Sequence, residues 1–297
     1  MTAARSILLL GHPYDPGTRR LRSEIRSRSS CPVMIAPPEL LAAAGWRHHV
    51  DAAGRARTQL RLPNGHWLTD EDVGCVVNRW DYLPAPRLRN PTPRDAEYGA
   101  LEFQALIASW LAGLADRVLN PVGGHAIDVG PRSPRAWLAL AGRAGLPVAP
   151  SALATAARWL PAAMAAGGRP RPLGPYTPPD TAASGRIPVE VGRPETDITA
   201  GARTEWSVAA APEEEVLVAG RRAVDPPTAA IGDACIEVTA RAGCAIAAFH
   251  FERADGRRRL CRVTTRPALT GRGHAAAVAE LCLTVASGAG AGAGARR

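Results

Sequence analysis

The chain has 297 residues, 36 basic and 27 acidic side chains, and a formal charge of +9. Every basic residue is Arg and none is Lys. That excludes a lysine Schiff base, a phosphate-loop lysine of the G-x-x-x-x-G-K-[ST] kind and a kinase-type strand lysine.

The length suffices for a sizeable core in one large or two modest domains. Apolar runs are broken by charge or proline, so no membrane span is expected. The N-terminal run Ile7–Leu10 is too short for a signal peptide and reads as a buried strand. The six cysteines are scattered, with no C-x-x-C pair. They fit reduced thiols in a cytoplasmic protein better than a disulfide scaffold or a zinc site.

In chain order, Ser6–Leu10 predicts a first strand and Thr18–Arg28 a helix with a basic face. Pro32–Ala36 predicts a second strand and Pro38–Ala44 a short helix. Residues 57–62 and 66–68 flank Pro63–Asn64–Gly65, which has the turn chemistry of a hairpin. Gly74–Val77 predicts a third core strand, ending at Asn78 and Arg79. Asp95–Ala115 has Phe103, Ile107, Trp110 and Leu114 at helical spacing, with Asp95 as the expected N-cap. Ser133 would cap a second helix that starts at Pro134 and closes at Gly145.

Residues 161–194 hold eight prolines and five glycines, which argues against regular structure there. Beyond them, Glu205–Ala210 and Glu215–Val218 are expected to pair, and residues 218–224 to form a hairpin turning at Gly220. Ile231–Ala242 predicts a helix. Cys244–Phe251 and Arg258–Val263 predict strands joined at Asp255–Gly256, and Gly273–Ala286 a last helix. The expected fold class is α/β: an N-terminal open α/β domain (1–125) followed by an α+β region (126–287). A low-complexity Ala/Gly tail (288–297) completes the chain.

Three stretches, taken in this order, resemble the ATP-grasp superfamily, especially its peptide-ligase branch. VVNRWDYLP (Val76 to Pro84) is similar to a conserved strand end of that branch's N-terminal domain. The run from Glu102 through VLNP (Val118 to Pro121) to AGRAGLPVAP (Ala141 to Pro150) is similar to its helix, "wiNp" and "GlpvP" stretch. AAFHFERADGRRRLCRVTTRP (Ala247 to Pro267) has the layout of its closing "giDf…dG…flEvNp" hairpin. Glu214 to Val224 matches its "RvyvvG" strand pair more weakly.

The resemblance implies carboxylate activation by ATP and magnesium as an acyl phosphate, which an amine then attacks. Carried over by position, the family's metal-binding Asp falls at His250, its closing Glu on Arg262 and its Asn on Thr264. Its phosphate-contacting lysine has no counterpart, and Arg193 is the nearest candidate. Magnesium takes hard oxygen donors, which His250 and Arg262 do not supply. Arg193, His250, Arg262 and Arg266 remain candidates for an arginine-based nucleotide or anion site without metal. The other reading of Arg262 and Arg266 is a solvent-facing strand edge.

Arg79 and Asp81, at the end of a core strand, are candidate substrate-binding residues, with a structural ion pair or cap as the alternative. Gly11–His12–Pro13 to Gly17 reads as a plain strand-to-helix turn. His125 with Asp128 reads as an Asx or His turn contact before an acid/base pair. His48–His49 with Asp51 lacks the further ligand a metal site needs. No nucleophile motif occurs, so no catalytic residue is assigned.

The leading functional expectation is a divergent ATP-grasp-like protein without standard Mg-ATP ligase activity. It would bind a peptide or an enzyme partner, with ATP as the candidate cofactor. An active carboxylate–amine ligase with a rearranged site is the alternative. An Arg-rich nucleic-acid-binding protein is the weakest reading, because the arginines are dispersed and no recognition motif accompanies them.

Overall fold

A computed structural model describes residues 5–80, 86, 92–120, 134–149, 151–154, 170–173, 203–207, 213–254 and 256–288. Its first half comprises β1 (Ser6–Leu10), α1 (Pro16–Arg28), β2 (Val33–Ala36), α2 (Pro38–Ala42), β3 (Gly45–Val50), β4 (Ala56–Arg61), β5 (Trp67–Thr69), β6 (Val73–Asn78), α3 (Pro93–Leu114) and β7 (Val118–Leu119). Its second half comprises α4 (Pro134–Arg143), β8 (Ser151–Ala154), β9 (Pro170–Leu173), β10 (Arg203–Ser207), β11 (Glu214–Ala219), β12 (Arg222–Val224), α5 (Ala229–Arg241), β13 (Ile246–Ala254), β14 (Arg257–Thr264) and α6 (His274–Ala286). Asp81, Arg193, His125, Asp128, Ser133 and the tail from residue 289 lie outside the described residues.

The first sheet is wholly parallel, in the order β2-β1-β6-β7. Both faces of β1 and β6 are buried, which explains their unbroken apolar runs. Ile7, Leu9, Cys75 and Val77 pack with Leu21 and Ile25 of α1 and with Val278 and Cys282 of α6. On the other face Leu8, Leu10 and Val76 pack with Phe103, Ile107, Trp110 and Leu114 of α3. The sheet is thus covered on both sides, one cover being the last helix of the chain.

Helix α3 begins at Pro93, before the expected N-cap. Thr92 and Asp95 form a reciprocal capping box: the Asp95 N–H donates to Thr92 Oγ1 at 3.2 Å, and the Thr92 N–H to Asp95 Oδ2 at 3.0 Å. Asp95 is therefore the third helical residue rather than the cap.

A separate antiparallel sheet, β3-β4-β5, covers α3. The hairpin at Asn64–Gly65 forms as expected, with Gly65 at φ +82°. β3 was not expected, because Trp46-Arg-His-His carries no aliphatic alternation. Trp46 supplies the buried face instead, meeting Phe103 and Trp110 edge-on at centroid distances of 6.1 and 5.4 Å.

The C-terminal sheet is antiparallel, in the order β12-β11-β13-β14. Val216, Val218, Phe249, Phe251 and Leu260 pack with α4 and α5, with Trp137 edge-on to Phe249. Leu217, Ala219 and Ala248 on the other face join the core around α6. A bulge leaves Cys261 without a cross-strand partner and sets His250 opposite Arg262.

Two expectations need correction. Residues 203–207 do not pair with 215–218: β10 lies between β8 and β9, while β11 pairs with β12 and β13. The proline-rich 161–194 stretch contains a strand, β9. It is tolerated because β9 is an edge strand of β8-β10-β9, and prolines at the alternate positions 170 and 172 can turn the missing N–H to one side. Among the described residues no helix is long and apolar enough to cross a membrane.

Candidate functional site

Two clusters of charge hold Arg79, His250, Arg262 and Arg266. The first sits at the C-terminal ends of β1 and β6, where parallel sheets open toward ligands. Asp15 caps α1 by accepting from the N–H groups of Gly17 and Thr18. Its Oδ2 also meets Arg79 Nε and Nη2, each at 2.9 Å. Arg79 Nη1 donates to the carbonyl of Pro267 at 2.9 Å. A Cβ at Gly17 would run into this guanidinium, so a larger residue there would have to displace it. Burial pulls the pKa of Arg79 below its usual value, with the Asp15 carboxylate opposing that shift. Burial pushes Asp15 the other way, but Arg79 and Thr18 outweigh it and hold the carboxyl below the usual range.

Arg266 comes to the same place. Its Nη1 donates to the carbonyl of Trp80 at 2.7 Å. Arg20 completes the arrangement with a 3.2 Å bond to the carbonyl of Ala268. Arg79, Arg266 and Arg20 thus stitch the segment after β14 to the end of the parallel sheet. Arg79 and Arg266, assigned to separate sites from sequence, are neighbours that share this task.

The second cluster is a row across the C-terminal sheet. Glu215 on β11, His250 on β13 and Arg262 on β14 stand side by side in register. Glu215 Oε2 lies 3.5 Å from His250 Nδ1, and Oε1 lies 3.2 Å from His274 Nδ1 at the start of α6. His274 Nε2 lies 3.7 Å from Asp225 Oδ2. The His274 ring beside it holds Glu215 below the usual carboxylate pKa despite burial, helped by His250 and Arg262. Arg262 itself is exposed. Sequence reading placed His250 and Arg262 together but missed Glu215 and His274. The signal for Glu215 was available: it alternates with Leu217 and Ala219, so a carboxylate falls on an inward position.

Other polar residues are placed as follows. Glu252, 1% exposed, is two residues past His250 on the same face of β13. Glu237 pairs with Arg241 on the surface of α5. His48 bonds Thr58 Oγ1 and Ser109 Oγ, each at 2.9 Å, and so anchors β3 to α3. Thr264 Oγ1 accepts the Arg266 N–H. Among the described residues no group of three or more His, Cys, Asp or Glu is placed to hold a metal ion.

No family model matches the sequence, and no curated protein matches it. Solved structures do. The macrocyclase MdnC from Microcystis aeruginosa MRC, bound with precursor peptide MdnA, gives a TM-score of 0.67 at 10% identity, over 94% of this chain and 99% of that one. The ATP-grasp ligase PsnB, complexed with minimal precursor, Mg and ADP, gives 0.63 at 14% identity, over 95% and 98%. A RiPP-associated ATP-grasp ligase of Chryseobacterium gregarium, in complex with ADP and a leader and core peptide, gives 0.60 at 11% identity, over 94% and 96%. The chain shares its fold with these solved structures, two of which are ATP-grasp ligases.

Proposed function

We propose that this chain is a peptide-binding or accessory protein of ATP-grasp fold that does not run the standard Mg-ATP ligation. The row Glu215–His250–Arg262 carries this reading. The positions that the family resemblance assigns to magnesium ligands hold an imidazole and a guanidinium. The carboxylate beside them already faces two imidazoles and an arginine. Magnesium demands oxygen donors in near-octahedral geometry, and this donor set does not fit it. A guanidinium supplies charge toward a phosphate but no bridging cation between phosphate oxygens. The peptide half of the reading is supported by the neighbours, MdnC and PsnB having been solved with precursor peptides.

A thermal-shift titration of the full chain with ATP, with and without magnesium, tests the nucleotide half. The expected result is no magnesium-dependent shift. Saturation at about 100 times Kd would add about 2.7 kcal/mol to stability, which is readily seen. Such a shift, or ATP turnover with a carboxylate and an amine, would instead favour an active ligase. Glu252, buried beside His250, is the feature that favours this second reading.

A further inference from the structure

The sheet β3-β4-β5 turns one face to α3 and the other to solvent. The solvent face can be read in rows from the register. Gly45, Arg61 and Trp67 form one row; Arg47, Gln59 and Thr69 the next; His49 and Arg57 the third. Arg47, His49, Arg57 and Arg61 are exposed, and Trp67 is 47% exposed. No strand residue on this face is acidic. Two carboxylates border the face and both are engaged: Asp51 in the β3–β4 turn by Arg55 at 2.8 Å and by two backbone N–H groups, and Asp72 by the Thr69 N–H and hydroxyl at 2.8 and 2.7 Å.

β3 is an edge. Among the described residues it pairs only with β4. The phase of its ladder follows from the hairpin, where the Asp51 N–H donates to the Arg55 carbonyl. Antiparallel pairs alternate, so His49, Arg47 and Gly45 also turn their backbone groups toward β4. Trp46, His48 and Val50 turn theirs to the open side. Their side chains do not block that side: Trp46 and His48 are held against α3. The edge therefore offers backbone donors and acceptors beside a positive face.

We infer that the β3 edge docks an extended acidic peptide as an added strand, with carboxylates at alternate positions beside Arg47 and His49. Alternate residues of a strand are about 7 Å apart and share a face, which matches the spacing of those two side chains. Strand addition takes affinity from main-chain bonds and specificity from alternate side chains. A nucleic acid could use the charge but not the backbone edge, and it would find a single aromatic platform, Trp67 on the far strand. This deepens the peptide-binding reading above by naming a surface and a peptide chemistry, and it is independent of the nucleotide question.

The test is fluorescence anisotropy on the full chain with a labelled Ser-Glu-Val-Glu-Val-Glu-Ser peptide. Three comparison probes are the same composition with its glutamates contiguous, the alternating peptide N-methylated on alternate amides, and a single-stranded oligonucleotide of equal charge. The alternating peptide should bind tightest. Reversing charge with Arg47→Glu and Arg57→Glu should weaken it about 10-fold: at Arg47 a cross-strand pair worth up to about 1 kcal/mol turns from attraction to repulsion, and Arg57 adds a smaller effect from the next strand. The control Arg19→Glu with Arg26→Glu, equal in charge change and exposed on α1, should change it by less than about 2-fold, because distant charges are screened. Equal weakening by both double variants, indifference to N-methylation, or tighter binding of the oligonucleotide would overturn the inference. Failure of the alternating peptide to bind would also overturn it, while leaving the broader peptide reading intact.

Discussion

At the end of β6, one guanidinium meets one carboxylate and also donates to a backbone carbonyl. On the C-terminal sheet, one carboxylate lies between two imidazoles, and the neighbouring guanidinium is exposed. The first arrangement is closed: its carboxylate is held by a buried guanidinium, and its bonds cross between distant parts of the chain. The second is open, because Arg262 keeps a face to solvent. The contrast separates charge that holds the fold from charge that remains available to a ligand. Arg79 stands where open α/β sheets bind ligands, yet its side chain is 6% exposed and bonds both Asp15 and the Pro267 carbonyl.

The sharpest way to break this contrast is to open the closed cluster. Arg79→Ala leaves Asp15 facing a partly buried void and frees the Pro267 carbonyl. Removing one partner of a buried pair costs about 3–5 kcal/mol. Urea denaturation should show a loss of that size. A change below about 1 kcal/mol would mean that Arg79 is held for a ligand rather than for the fold.

Asn120 ties the same two regions without charge, and its loss should come next. Its Nδ2 donates to the carbonyls of Ile246 and Thr265, and its Oδ1 accepts from the N–H groups of Ala245 and Ile246. It sits at φ +62°, a region that asparagine tolerates better than alanine. Asn120→Ala should cost about 3 kcal/mol, since buried backbone groups lose their partners. Asn120→Gly relieves the backbone but not the bonds, so it should recover less than about 1 kcal/mol of that. Thermal melts of the three proteins rank them.

These two residues also mark what the sequence could disclose. Asn120 was visible through the family resemblance of VLNP, and Arg79 as the polar end of an apolar strand. The helices and parallel strands were legible because periods of 3.6 and continuous apolar runs are local signals. Partners were not. The Pro267 carbonyl of Arg79 is 188 residues away, and His274 lies far along the chain from Glu215. A histidine after glycine at a helix start gives no hint that it is 1% exposed. β3 was hidden for a related reason, since its apolar contact comes from one tryptophan meeting a helix that begins far downstream.

The open cluster makes its prediction through pH. Glu215 has a folded pKa below the usual 4.5, so the stability it supplies is full above that value and is lost as pH falls. Wild type and Glu215→Gln should therefore differ most near neutrality and converge below about pH 4.5. Glu214, on the opposite face of β11, is held at about 2 by Arg258 first and Arg253 second. Glu214→Gln should converge with wild type over the window from 4.5 down to about 2. Urea midpoints measured across that range distinguish the two. A Glu215→Gln deficit that widened in acid would mean that the row is held by something other than the carboxylate.

The smallest effect tests whether exposure, not geometry, decides what a charge pair is worth. Arg222 and Glu280 meet at 3.2 Å, close to the 2.9 Å of Arg79 and Asp15, but their side chains are 64% and 63% exposed. Water and salt screen such a pair, and ordering two long side chains costs entropy that offsets the attraction. Arg222→Ala should then change stability by less than about 0.5 kcal/mol, and the change should vanish in high salt. The bond joins β12 to α6, so it links elements as the Arg79 bond does. If its loss rivalled that of Arg79, burial would no longer separate the two kinds of charge, and the solvent-facing Arg262 would have to be read as structural too.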